Sequence, residues 1–195
     1  ILAIEDRRFF EHPGIDFIGI IRAAVKNFTG QSREGASTIT MQVARNFFLS
    51  SEKTLKRKFN EILLSLKIEN QLTKEEILEL YINQIYLGQR SFGFSAAANT
   101  YFNKTLENLN LAEIALLAGL PKAPSRYNPL SNPDLAIARQ HTVLNNMYKY
   151  GFIDRPSYIL ALEEHLDLVE KNIRYEIQAD YIAEMVRKVL HDEYG

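Results

Sequence analysis

Apolar residues recur at spacings of three and four along most of the chain, the period of helices with one buried face. Ile15, Ile18, Ile21 and Val25 follow it and predict a helix over 16–28. The stretch "TGQSREGAST" (29–38) interrupts it with glycines and small polar residues and predicts a mobile loop. Helices are expected over 40–49 and 52–71. Thr73 followed by Glu76 reads as a capping box opening a helix to about Leu87, with Gly88 placed to end it. Asn110 with Glu113 opens another helix on "LAEIALLAGL". Asn132-Pro133 starts a helix that Gly151 stops after Tyr150. Two more are expected from Pro156 and from about Glu176. Strand alternation is confined to "ASTIT" (36–40).

The expected fold is therefore mainly α, one domain over 1–195, with a smaller flexible subregion at about 25–55. The tail 156–195 reads as helical packing or a linker toward a further domain. No repeats or low-complexity tracts appear.

Composition narrows the picture little: 46% hydrophobic and 24% charged residues are ordinary for a globular chain. A net charge of −1 gives no general attraction for nucleic acid, so anion binding requires a local cluster. Without cysteine, thiol chemistry and disulfides are excluded, and either redox compartment is open. No apolar run is long enough to span a bilayer. The start in mid-pattern at Ile1 suggests a piece of a longer protein whose membrane anchor would lie upstream.

Three stretches carry candidate chemistry. In "KTLKRKFNEILLSLKIE" (53–69), a helical wheel puts Leu55, Phe59, Ile62 and Leu66 on one side, with Leu64 and Ile68 nearly opposite. A helix apolar on two faces is expected at the centre of the fold. Arg57, Lys58 and Glu61 neighbour one another beside the Leu64–Ile68 stripe. In isolation that triplet is a local ion pair of little weight. With Lys53 and Lys56 close by, it forms an anion site compact enough for a diphosphate. In "GASTITMQVARN" (35–46), a glycine-led loop enters a hydroxyl-rich turn and a helix, offering N–H groups to an oxyanion or simply capping the helix. Gln42, Arg45 and Asn46 follow on one helical face. In "AIEDRRFFEHPG" (3–14), Glu5 and Asp6 stand directly behind an apolar lead. They either help a helix start or place a base in a cleft, since a carboxylate that loses water becomes a workable proton acceptor near neutral pH. His12, His141, His165 and His191 lack zinc-ligand spacing, and phosphate-loop, dinucleotide and nucleophile-elbow motifs are absent.

Taken in order, "EDRRFFEHPG" (5–14), "GASTITMQ" (35–42), "RKFNE" (57–61), "KEEILELYINQIYLG" (74–88), "FGFSAAANTYFNK" (92–104) and "GLPKAPSRYNP" (119–129) resemble the peptidoglycan glycosyltransferases, glycosyltransferase family 51. These are the N-terminal modules of class A penicillin-binding proteins and the monofunctional transglycosylases. The likeness covers roughly residues 1–150. One departure stands out: Met41 occupies the place of the first of two glutamines usual in the family, so a polar contact made there would be lost or moved.

The resemblance implies a lysozyme-like, mainly α fold with a larger head lobe and a smaller, membrane-facing jaw lobe. It implies lipid II and the growing glycan strand as substrates, and inverting transfer to the acceptor's 4-hydroxyl with Glu5 as base. Glu61 matches the second family carboxylate; it would orient the cations, hold a divalent metal at the diphosphate or assist departure. Arg57 and Lys58 would neutralise the leaving diphosphate. Ser37, Thr40, Gln42, Arg45 and Asn46 would line the donor side, while Asp6, Phe10 and His12 shape the surroundings of Glu5. Asn83 and Arg126 are weaker candidates, for which capping or loop pinning serves equally well. No cofactor is required, with magnesium or manganese at the diphosphate left open. The jaw, residues 17–28 plus 46–50, would either dip into the membrane interface or pack internally. Partners would also include a C-terminal transpeptidase domain, and the location would be the extracytoplasmic (periplasmic) face of the bacterial inner membrane. Two rivals are a glycan-cleaving lysozyme or lytic transglycosylase and a non-catalytic helical module binding anionic lipid.

Overall fold

A computed structural model of the chain describes residues 1–28, 35–48 and 54–169. The fold is mainly helical. Short α1 (Leu2–Glu5) leads into α2 (Phe17–Phe28), α3 (Ile39–Phe48), α4 (Leu55–Glu69) and α5 (Lys74–Gln84). Then come α6 (Phe94–Phe102), α7 (Leu111–Gly119), α8 (Pro133–Lys149) and α9 (Arg155–Glu163). The expected loop segment 29–34, residues 49–53 with Lys53, and the expected helix from about Glu176 lie outside the described residues.

Local chemistry explains most boundaries. Thr73 accepts from the Glu76 N–H while the Glu76 carboxylate accepts from the Thr73 N–H, and Asn110 and Glu113 repeat the arrangement on α7. Asp154 caps α9 by accepting from the Ser157 N–H at 2.9 Å. Gly151, at φ 76°, turns the chain out of α8.

Three expectations are corrected, and one helix, α6, was not foreseen. The "ASTIT" segment forms no strand: 35–38 is irregular, and Ile39 opens α3. The Thr38 hydroxyl accepts from the Met41 N–H at 3.1 Å, so the hydroxyl serves a helix start. α5 ends at Gln84, before Leu87, because the Leu87 backbone is engaged elsewhere: its N–H donates to Ser91 O and its carbonyl accepts from the Tyr101 hydroxyl, both at 2.9 Å. Gly88 belongs to that turn, where a Cβ would meet Tyr101 Oη at 2.6 Å. α6 escaped the pattern because its N-terminus has no side-chain cap; Gly93 at φ 81° opens it. Finally, α4 is not the central helix. It buries Glu61, Ser65 and Ile68, while Leu55 (91% exposed) and Phe59 (60%) face outward.

The central position belongs to α7. Leu116 and Leu117 enter a core with Phe9, Ile39, Val43, Ile77, Tyr81 and Tyr101. Ala115 and Ala118 enter a second cluster with Val143, Leu144 and Ala161. Ile1 packs against both clusters, which fixes α1, and so Glu5, against the α7–α8 body.

Candidate active site

Glu5 is the last residue of α1, and its side chain is only 12% exposed. Gln42, one turn into α3, donates from Nε2 to Glu5 Oε2 at 3.0 Å. The Gln42 carbonyl in turn accepts from the Tyr81 hydroxyl at 3.4 Å. Burial first, then Glu5, pushes the Tyr81 phenol well above its ordinary value, so that hydroxyl stays a donor. On Glu5's other oxygen, Oε1, Arg139 Nη2 stands 3.7 Å away.

Asp6 faces inward beside it. Its Oδ1 lies 3.0 Å from His12 Nε2, and its Oδ2 accepts from the Ile39 N–H at 2.9 Å. The carboxylate thus ties the start of α3 to the N-terminal segment, which brings Gln42 against Glu5. Lys74 braces the same segment: Nζ donates to His12 O and to Glu69 Oε1, each at 2.7 Å, and sits 4.4 Å from the Phe9 ring centroid.

The cationic cluster is built on α4. Glu61 is fully buried, and its Oε1 accepts from Lys58 Nζ at 2.6 Å. Arg57 Nη1 stands 3.7 Å from Oε2, and neither Oε2 nor Arg57 Nε has a hydrogen-bond partner among the described residues. A wholly buried carboxylate is costly without charge partners, so this is no incidental surface pair. Lys58 also donates to Ser37 Oγ at 3.0 Å. Ser37 and Glu5 line one small cavity of about 50 Å³, together with Arg7, Asp16 and Arg22. Acid and cations therefore meet through the 35–38 segment.

The remaining expected residues fall in different places. Arg45 and Asn46 line a separate cavity of about 390 Å³ with Gln84, Tyr86, Phe92 and Pro124. The Thr40 hydroxyl is committed to Glu69 Oε1 at 2.5 Å and the residue is buried. Phe10 is exposed, its ring edge-on to Phe9 at 5.2 Å. Asn83 and Arg126 are exposed; the Arg126 guanidinium lies 5.8 Å from the Tyr127 ring centroid. The structure gathers Glu5, Asp6, His12, Gln42, Ser37, Arg57, Lys58 and Glu61, and leaves Thr40, Phe10, Asn83 and Arg126 outside that group.

The family model described as "Transglycosylase" matches residues 1–148. The chain belongs to the transglycosylase family. Penicillin-binding protein 1A of Neisseria gonorrhoeae is 54% identical over the whole chain, which spans 25% of that relative's length. Penicillin-binding protein 1A of Pseudomonas aeruginosa is 50% identical, again over the whole chain and 24% of the relative. The crystal structure of penicillin-binding protein 1A from Haemophilus influenzae matches with a TM-score of 0.54 and 36% identity, over 80% of this chain and 20% of that one. The chain thus spans about a quarter of the length of these relatives.

Within this transglycosylase domain Met41 is buried, so the position that departs from the family pattern faces the interior. Sequence reasoning missed Tyr81, Arg139, Glu69 and Lys74. The signal for Arg139 was present: with Gln140 it interrupts the otherwise apolar stripe of Ala136, Val143 and Leu144 on α8. Tyr81 sits inside a quoted motif but looks like any core aromatic. Among the described residues no group of three His, Asp or Glu gathers to hold a metal. Glu61 has Lys58 and Arg57 where a metal would need further carboxylates, so Glu61 and its described neighbours do not fit a resident ion.

Proposed function

We propose that this domain polymerises glycan strands from lipid II. The acceptor's N-acetylglucosamine 4-hydroxyl loses its proton to Glu5 and attacks C1 of the donor N-acetylmuramic acid from the face opposite the α-linked diphosphate. A β-1,4 bond forms, C1 is inverted, and the polyprenyl diphosphate departs. Lys58 and Arg57 stabilise the negative charge that builds on it. Glu61 holds the Lys58 ammonium, and Ser37 steers that ammonium toward the Glu5 side. Asp6 and His12 keep the start of α3 in place, while Arg45 and Asn46 line the donor side. A divalent cation that takes part would arrive on the diphosphate rather than reside in the protein.

The observation that supports this most directly is Ser37, which shares a cavity wall with Glu5 and a 3.0 Å hydrogen bond with Lys58. A base and a cationic leaving-group site that converge suit a phosphorylated donor. A glycan-cleaving enzyme has an uncharged leaving group and nothing for the cations to stabilise.

The surface supports work at a membrane. No helix among the described residues is long and apolar enough to cross one. Phe17, Ile18, Ile21, Val25 and Phe28 on α2 are nevertheless exposed, as are Phe47 on α3 and Leu55, Phe59 and Leu63 on α4. That apolar surface fits a jaw resting in the outer face of the inner membrane, where lipid II is anchored; Phe48 of the expected jaw has no described side chain. A transpeptidase domain would complete the protein.

The test supplies labelled lipid II and purified cell wall separately. Polymer from the first and no soluble muropeptides from the second are expected; muropeptides without polymer would replace synthesis by cleavage.

A further inference from the structure

Both oxygens of Glu5 face groups from distant parts of the chain. Gln42 on α3 holds Oε2 at 3.0 Å, and Arg139 on α8 stands 3.7 Å from Oε1. Arg139 is itself buried in a built recess. Its Nε donates to Gly119 O at 3.2 Å, and its guanidinium lies 5.7 Å from the Tyr127 ring centroid. At Gly119 a Cβ would approach the Arg139 stem to 2.8 Å, so glycine makes room for it. Burial lowers the guanidinium pKa and Glu5 raises it again, yet arginine keeps its charge at any working pH. A cation placed there pulls the Glu5 carboxylate toward α8. Tyr81 acts on the opposite side: its hydroxyl takes the Gln42 carbonyl, which turns the amide NH₂ toward Glu5.

We propose that Arg139 is a positioning residue for the Glu5 base, and that with Tyr81, acting through Gln42, it clamps the carboxylate in one orientation. This rests on the reading of Glu5 as the base. Neither residue touches substrate; both act through Glu5. A misaligned base costs rate at the chemical step and leaves substrate binding untouched.

The test measures kcat and KM for lipid II polymerisation by the full chain for wild type, Arg139→Gln, Arg139→Lys, Tyr81→Phe and Glu5→Gln, with a thermal melt for each. Arg139→Gln is expected to lower kcat by about 100-fold with KM within about twofold. Arg139→Lys recovers most of kcat. Tyr81→Phe, which removes one hydroxyl, lowers kcat several-fold at unchanged KM. Wild-type kcat in Arg139→Gln, or a loss confined to KM, overturns the clamp. Should Arg139→Gln fail to fold, wild-type kcat in Tyr81→Phe or an Arg139→Lys enzyme with no recovered activity overturns it as well. An inactive Glu5→Gln beside unaffected Arg139 and Tyr81 variants removes the clamp and leaves the proposed function standing, whereas an active Glu5→Gln removes both.

Discussion

The Lys58 ammonium lies 2.6 Å from an oxygen of Glu61, a residue with no solvent exposure. Lys58 itself is 40% exposed at the side chain, so one partner is wet and the other dry. Removing the wet partner strands the dry one. Lys58→Ala is expected to cost about 1–3 kcal/mol, below the full value for a wholly buried pair because of that exposure. The double variant Lys58→Ala with Glu61→Ala should recover part of the loss, since the wholly buried carboxylate is then gone and the charge left without it is the Arg57 guanidinium, 17% exposed. Urea denaturation of the two single variants and the double decides this; an additive cycle would show that the pair is not coupled.

Asp6 joins two segments that the sequence keeps far apart, through His12 and the Ile39 N–H. Asp6→Ala leaves both without their acceptor in a buried setting and is expected to cost about 2–4 kcal/mol. For a chain of this size the melting temperature then falls by roughly 5–15 °C. Asp6→Asn, which can still accept from Ile39, is expected to lose less. Differential scanning calorimetry reads both.

Asp154 holds its carboxyl below the ordinary range, chiefly through its hydrogen bonds to Ser157, and α9 depends on that cap. A folded-state pKa that is depressed gives stability present above the unfolded value and lost as pH falls through the folded one. The melting difference between wild type and Asp154→Ala should therefore be full near neutrality and shrink in acid. Asp154→Asn, whose amide oxygen also caps, should follow no such pH trend. Thermal melts of the three proteins from about pH 7 down to about pH 3 check the sign.

Much of the fold was legible because it was local. Thr73 with Glu76, Asn110 with Glu113 and Asn132-Pro133 announce their helices within a few residues. α6 was not legible, since glycine caps it without a side chain, and the end of α5 was decided by Tyr101, far along the chain. The apolar outer face of α4 looked like core because periodicity marks apolar residues and not what covers them. The same limit applied to the site. Arg57, Lys58 and Glu61 lie within one helical turn or so and could be read together. Arg139 and Tyr81 reach Glu5 and Gln42 only through tertiary packing.

The outward apolar residues of α2 bear on the membrane reading. Phe17→Ser with Ile21→Ser replaces exposed side chains, so stability should change by no more than about 0.5 kcal/mol. Binding to vesicles of phosphatidylethanolamine and phosphatidylglycerol is expected to fall by more than tenfold, as two buried apolar side chains contribute about 1.5–3 kcal/mol each. Co-sedimentation measures it. Binding equal to wild type would confine these residues to another surface.

Glu5→Gln, compared with wild type for polymer formation and lipid II binding side by side, probes the shared cavity most directly. The replacement keeps the shape beside Gln42 and removes only the ability to take a proton. Polymerisation should fall by at least about 100-fold, in the range ascribed to a general base, while lipid II binds within about twofold of wild type. Polymer formed at the wild-type rate would contradict the assignment of the base and, with it, the proposed chemistry of the site.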